Sequence, residues 1–353
     1  MRQELHDFSP GAHGPLRAVR LGLALALLGG LALALGGGSA RANGGGANIC
    51  KKTSTTLLSA CKKEVFDDFL TAKAICLNET DPDAAAECRS DAVDELNEAW
   101  PGCFEVREAR DEACDLLGPG AYDPDFDPES FVDPVVGNPF QPLQVGNHWE
   151  YEGDGESIVI DVLDETKQIE GVTCVTVRDQ ASEDGVLVEN TDDWIAEHAN
   201  GDTWYCGEIS QGLETFDGDD PEEPELVTLE GSWKAGRDGA KPGILIPADA
   251  PVGATYRQEF LPGDAEDMAM VLSRTWSYGN GEGLDGLVPQ DLADLLCDGD
   301  CMVTREFSAL DPGLYELKYY SPGVGLFLEV APDAGEIVPL VACNVDPRCA
   351  ALP

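Results

Sequence analysis

The sequence predicts an α+β protein, with a small disulfide-stapled helical bundle followed by a mainly antiparallel β barrel or sandwich. Three observations predict it. Residues 50–117 are rich in Ala, Leu, Glu, Asp and Lys and carry apolar residues at helical spacing. Six of the twelve cysteines fall in that stretch. From Leu143 onward, short β-branched and aromatic runs are separated by Gly, Asp and Asn at intervals of about 8–12 residues.

The chain opens with a segment of another kind. Arg17 and Arg20 precede the apolar run Leu21–Leu35, which ends in Ala40-Arg41-Ala42. A basic flank, an apolar stretch too short to span a bilayer and a small-x-small site together read as a cleavable export signal, residues 1–42. Removing it takes away four basic and two acidic residues, so the formal charge of −45 becomes −47. Such acidity repels nucleic acid and anionic membrane surfaces, and neither is expected as a partner. After signal cleavage no membrane span is expected. The address this implies is extracytoplasmic, periplasmic or secreted.

Within 43–117, Leu57, Leu58, Cys61, Val65, Phe66, Phe69 and Leu70 form one apolar stripe. Asn78–Pro82 reads as a turn, and a second helix is expected from about Asp83 to Ala99. Pro101-Gly102 then breaks it, and a short third helix runs to Leu117. Cys50, Cys61, Cys76, Cys88, Cys103 and Cys114 are separated by 10, 14, 11, 14 and 10 residues, a spacing that reads the same in both directions. Nested bridges 76–88, 61–103 and 50–114 across antiparallel helices would give that symmetry, although six cysteines allow 15 pairings. Bridges suit a segment too short for a large core.

Residues 118–140 form an acidic, Pro-rich linker, and 141–353 the β-rich domain. Ser157–Leu163, Val172–Val177, Val186–Glu189, Thr203–Cys206, Thr255–Phe260, Leu314–Tyr320 and Gly325–Val330 are among the expected strands. Helical insertions are expected at Ala265–Leu272 and Gln290–Leu296. Cys174 and Cys206 fall in strand-like runs and could join neighbouring strands. Cys297 with Cys301, and Cys343 with Cys349, would each close a small turn. Twelve cysteines in an exported chain predict six disulfides and no free thiol. Only His148 and His198 remain after signal removal, and neither lies near a cysteine pair, which removes zinc and most His-based catalysis.

Several segments of the second domain resemble uncharacterised exported bacterial proteins with a Cys-rich helical N-terminal region and a β-rich barrel-like domain. Asn138-Pro-Phe-Gln-Pro-Leu143 and Gly146-Asn-His-Trp-Glu-Tyr151 carry the likeness at its start, and Lys318-Tyr-Tyr-Ser-Pro-Gly-Val-Gly325 near its end. Gly201-Asp-Thr-Trp-Tyr205, Gly231-Ser-Trp-Lys-Ala-Gly236 and Tyr256-Arg-Gln-Glu259 lie between. The resemblance implies an extracytoplasmic barrel-like fold and no assigned chemistry. This chain departs from the pattern where Val288-Pro-Gln leads into the Cys297/Cys301 segment.

Three groups could carry chemistry. Asp123, Asp125, Asp127 and Glu129 alternate as calcium ligands do, but Pro124 and Pro128 and the lack of a loop glycine depart from the EF-hand pattern. Arg257, Glu259, Glu266 and Asp267 set carboxylates beside an arginine, as general acid–base chemistry needs, and Arg257 and Glu259 are expected on one strand face. Trp194, Trp204 and Trp233 could enclose an apolar cavity or stack on sugars. Each group also has a plainer use, as solvated linker, surface ion pair or core. Ser232, Ser273 and Ser321 lack a nucleophile context, and no phosphate loop or dinucleotide fingerprint occurs. The sequence therefore favours a non-catalytic binding or envelope-associated module for a small apolar ligand, a glycan or an envelope protein. The alternatives are a secreted carboxylate-dependent hydrolase and a calcium-stabilised surface protein.

Overall fold

The computed structural model describes residues 48–132, 137–153 and 155–353; the expected signal, residues 1–42, lies outside them. The first two elements are α1 (Ile49–Cys76) and α2 (Pro82–Leu117), packed as an antiparallel hairpin. Asn48 caps α1 by accepting from the Lys51 N–H at 2.9 Å. Asp81 caps α2 by accepting from Asp83 and Ala84, and Pro82 follows at the first helical position, where its missing N–H is harmless.

The nested bridges form as the spacing predicts: Cys50–Cys114, Cys61–Cys103 and Cys76–Cys88, with Cα separations of 5.6–5.8 Å. The expected break at Pro101-Gly102 does not occur, and α2 runs through it unbroken to Leu117. Pro101 lies on the exposed side, where its ring meets solvent, and the adjacent Cys103 is tied to α1. That clamp and the packing against α1 offset the cost of about 3 kcal/mol that an interior proline imposes.

The linker is not a free tether. From Ala121 to Asp127 the chain is extended and alternates between exposed and half-buried residues. Tyr122, Pro124 and Phe126 face the protein, while Asp123, Asp125 and Asp127 face water. The Tyr122 hydroxyl donates to the Pro242 carbonyl at 2.9 Å, and Phe126 packs on Phe131 and Trp204. β1 (Phe131–Val132) then pairs with the end of β5, described below.

The remaining strands, in chain order, are β2 (His148–Gly153), β3 (Glu156–Ile169), β4 (Val172–Glu183), β5 (Val186–His198) and β6 (Thr203–Glu214). Next come β7 (Glu225–Thr228), β8 (Trp233–Lys234), β9 (Lys241–Ile246), β10 (Thr255–Arg257), β11 (Glu259–Phe260) and β12 (Asp267–Trp276). After the short helix α3 (Gln290–Leu296) follow β13 (Cys301–Ser308), β14 (Glu316–Ser321), β15 (Gly325–Ala331) and β16 (Glu336–Cys343). The expected helix at 265–272 is instead β12, paired on one side with β10 and on the other with β13. The helix at Gln290–Leu296 forms as expected.

All pairings are antiparallel, and the main path runs β10-β12-β13-β14-β15-β16-β2-β3-β4-β5-β6-β9-β11. Only Gln258 separates β10 from β11, so the path returns to its origin and the sheet nearly closes into a barrel. Closure depends on Gly243 of β9. A Cβ there would sit 2.1 Å from the Gln258 carbonyl oxygen and 2.7 Å from that of Arg257. Gly243→Ala should therefore destabilise the fold by about 2 kcal/mol, as overpacking against rigid backbone does. Hydrogen exchange of the β9–β11 amides should accelerate in this variant; unchanged exchange and melting would show that the seam tolerates a side chain.

The hairpin docks on the barrel through the C-terminal half of α2. Ala113 packs with Met268 and Ala309, and Arg110 forms a buried ion pair with Glu266, its Nε 2.8 Å from the carboxylate. Trp149 donates to the Val324 carbonyl at 2.7 Å and Tyr151 to the Leu326 carbonyl at 3.0 Å, so β2 meets the β14–β15 turn. Among the described residues no helix is long and apolar enough to cross a membrane.

Candidate functional site

Strand periodicity builds the site. Successive side chains alternate between faces, and residues paired across strands share one. Asp193 of β5 pairs with Val177 of β4 and Glu208 of β6; Asp179 pairs with Ile160 and Thr191. On the far side of the ring Glu329 pairs with Lys318, and Lys318 with Thr304. Asp179 and Glu329 act on one another's surroundings although β3, β2 and β16 lie between their strands, which places both on the inner face. Tyr151, Asp179, Asp193, Tyr205, Glu208, Glu259, Glu306 and Glu329 thus line one acidic lumen. Lys318 is the base set among them, 3.5 Å from Glu306 and 3.3 Å from Glu329. Those three side chains retain 13–21 % exposure, so water reaches inside.

The centre of the lumen is Asp193, Tyr205 and Glu208. The Tyr205 hydroxyl meets both carboxyl groups, Asp193 Oδ1 and, at 2.5 Å, Glu208 Oε2. A hydroxyl has one hydrogen to give. It can donate to one carboxylate only, so the second contact needs a proton on the other acid. Burial pushes Asp193 up from 3.8 to about 6. Burial first, and then the Asp193 charge, hold Glu208 well above the usual carboxylate range. Asp179 and Glu259 are raised well above it too, again chiefly by burial and then by their acidic neighbours. Nearby, Glu189 accepts from Thr191 at 2.8 Å and from Ser210 at 3.2 Å.

These shifts fix a pH dependence. The unfolded chain loses its carboxyl protons near pH 4, whereas the folded lumen holds them to about pH 6 or above. The folded state binds more protons across that window, so stability falls as pH rises through it. His148, raised by its hydrogen bonds to Glu150 and Asp161, acts in the same direction. The melting temperature should be higher at pH 5 than at pH 8, and Glu208→Gln should flatten the difference. A melting temperature that climbs from pH 5 to 8 would contradict protonated lumen acids.

The groups singled out from the sequence do not converge. Glu266, 3 % exposed, lies in the turn between β11 and β12, where it takes Arg110 and the Gly263 N–H at 2.7 Å. Arg257 faces outward over the rings of Phe260 and Tyr122, 4.5 and 5.7 Å from their centroids. Glu259 was expected on the same face, but the chain passes from β12 to β9 at Gln258, and Glu259 turns into the lumen beside Glu208. Asp267 is exposed and opposite Ser308.

The tryptophans do not enclose one cavity either. Trp194 pairs with Thr176 and lies under Lys167, whose Nζ is 3.5 Å from the ring. Trp204 packs on Phe126 and Phe131 of the strap that residues 121–132 form along the barrel. Only Trp233 belongs to the lumen, opposite Glu208 and edge-on to Tyr205 at 5.3 Å. The calcium array also disperses. Asp123 pairs with Lys241 at 2.8 Å, Asp127 caps Glu129 in its own 3-10 turn, and the alternation is the wet side of the strap. Among the described residues no three acidic, imidazole or thiol groups are placed to hold a metal ion.

Cys297–Cys301 and Cys343–Cys349 are bridged as expected. Cys174 and Cys206 are instead buried thiols in mutual contact, a correction to the expected sixth bridge. They sit on β4 and β6 with β5 between, and Cys206 is the extra residue of a bulge opposite Trp194 and Ile195, so the strands hold the two sulfurs side by side without a bond. Alkylation of the native protein should label no cysteine, and alkylation after unfolding without reductant should label two. Twelve oxidised cysteines would contradict this pairing.

Comparison with protein-family models, with curated proteins and with solved structures finds no match for this chain. Sequence reasoning missed Asp179, Asp193 and Glu208. Alternating acids in a strand ordinarily mark its solvent face, and only register reveals that these lie opposite one another inside a ring.

Proposed function

We propose that this protein is an exported, non-catalytic binding module whose ligand compartment is the barrel lumen. One observation carries the reading: inward-facing acids and tyrosines line an interior that water still reaches. Among the expected ligands, an inner wall of carboxyl and phenol groups favours a polar one such as a glycan over an apolar one, because an apolar guest would strand those groups without partners. Export rests on the basic-apolar-small pattern of residues 1–42 and accords with the five disulfides. The hydrolase reading loses its support, since Glu266 is held by Arg110 while Glu259 faces another compartment.

Ligand-observed NMR with neutral sugars, small amines and fatty acids as separate probes tests the proposal. Polar probes should bind, and Ala181→Trp, which fills the lumen between Ile158 and Glu189, should abolish binding. Arg178→Ala, which removes the ion pair to Asp192 on the opposite face, should leave it intact. Binding that survives Ala181→Trp, or binding by no probe, would overturn the lumen as the compartment.

A further inference from the structure

The helical hairpin carries an inference independent of the lumen. Its two helices differ sharply in charge. α1 has five lysines against three acids, in a chain of 22 basic and 67 acidic residues. Lys51, Lys62 and Lys73 are 11 residues apart, close to three helical turns, and so lie in one row. α2 is the reverse, with eleven acids against three arginines. Two grooves adjoin on the face where the helices meet. One is basic and apolar, lined by Lys62, Lys63, Phe66, Leu70 and Trp100. The other runs along α2 and is lined by Phe104, Glu108, Asp111, Glu112 and Asp115. Lys62 joins them, its Nζ 3.8 Å from the centroid of the Phe104 ring and 5.6 Å from that of Trp100. In the acidic groove, Asp111 is taken by Arg107 at 3.0 Å and Asp115 by Lys51 at 2.7 Å. Among the described residues, Glu108 and Glu112 form no ion pair with a cation, and Lys62 and Lys63 form none with an acid. Phe66, Leu70, Trp100 and Phe104 beside them stay 39–49 % exposed.

We infer that this face docks on the same face of a second copy of the chain, about a two-fold axis. Around such an axis every contact between two residues occurs twice, with the copies exchanged. The basic groove of each copy is thereby set against the acidic groove of the other. Lys62 and Lys63 of one copy meet Glu108 and Glu112 of the other, and Trp100 and Phe104 near the axis cover the apolar stripe. Charge complementarity selects the occupant. A uniformly acidic partner leaves Glu108 and Glu112 opposed by like charge, and a uniformly basic one does the same to the lysines; a second copy satisfies both. The formal charge of −45 resists association at long range, but salt near 0.15 M screens it beyond about 8 Å. A face two helices wide is small for a specific interface, so the dimer is expected at protein concentrations on the order of 10 μM.

Sedimentation equilibrium of the full folded protein at about 0.15 M salt tests the inference. The parent should dimerise. Lys62→Glu with Lys63→Glu, and separately Glu108→Lys with Glu112→Lys, should each weaken the dimer at least about tenfold, because like charges then face one another at both contacts. An equimolar mixture of the two double variants should dimerise again, one copy of each, to within about threefold of the parental affinity, since both contacts regain opposite charge. Trp100→Ala should weaken the parental dimer and, placed in both double variants, the mixed dimer alike. The four charged positions lie away from the Arg110 contact with the barrel, so the variants should keep the parental circular dichroism. A parent that stays monomeric up to about 1 mM would overturn the inference. So would double variants that dimerise as the parent does, or a mixture of them that stays monomeric.

Discussion

Replacing Arg110 with alanine should destabilise the protein by about 3–5 kcal/mol and release the helical hairpin from the barrel. The estimate follows from what the substitution leaves behind. Arg110 and Glu266 have side chains only 8 % and 4 % exposed, and removing one strands the other charge in a dry interface. Nothing else nearby takes over its full role. Arg257 contributes charge to Glu266, but its guanidinium lies over Phe260 and one of its nitrogens makes no hydrogen bond. The apolar contact of Ala113 with Met268 and Ala309 is too small to hold the hairpin alone. The double variant Arg110→Met with Glu266→Leu should recover most of the loss, because replacing both partners of a buried pair by apolar groups is often neutral. Chemical denaturation of the two variants, with proteolysis at the strap as a second readout, decides the matter. If Arg110→Ala melts like the parent, the ion pair is not what joins the two parts.

The second large effect is expected in the hairpin itself. Removing Cys50 and Cys114 together, with the nested Cys61–Cys103 bridge still closed, frees a loop of about 22 residues, for which chain entropy predicts a loss of about 3 kcal/mol. The hairpin has little else to draw on. Phe66, Leu70, Trp100 and Phe104 are 39–49 % exposed, so its apolar stripe is only partly covered. The bridge also holds the start of α1 against the end of α2, where Ile49 donates to the Pro119 carbonyl at 2.9 Å. The double Cys50→Ala, Cys114→Ala variant should lose helical circular dichroism at lower temperature than the barrel loses its strand signal. A single transition at the parental temperature would contradict the idea that staples, rather than core, stabilise this part.

The two parts of the fold were legible to different degrees. The bridge scheme could be read because symmetric spacing is a geometric consequence of two antiparallel helices, whatever their side chains. The continuity of α2 could not, since Pro101-Gly102 is a genuine local breaker that only the cross-helix bridge at Cys103 overrides. The strand runs were visible as β-branched segments, but not their length. The expected Val186–Glu189 is only the start of β5, which runs on to His198 because paired neighbours on both sides hold the polar residues beyond it extended.

The site was the least legible of all. Asp193 stands beside Asp192 in a polar run, and nothing local distinguishes the acid that pairs with Arg178 outside from the acid that meets Tyr205 within. A shift of one residue in register would exchange them. The same blindness made the alternating aspartates of the strap look like a ligand array, when Tyr122 and Phe126 on the opposite side were the residues in contact. The segments that carry the resemblance to exported barrel-like proteins do meet in space, through Trp149 and Val324. They support the wall of the barrel rather than the acids in its lumen.

The central claim is that burial in the lumen, and then the Asp193 charge, hold the Glu208 carboxyl well above the usual carboxylate range. Carbon-detected NMR of the side-chain carboxyls, with Glu208 assigned through Glu208→Gln, reads this directly. The account predicts a Glu208 signal that stays at the protonated position well above the pH at which an exposed glutamate ionises. A Glu208 carboxyl that titrates near pH 4, as an ordinary exposed glutamate does, would contradict it.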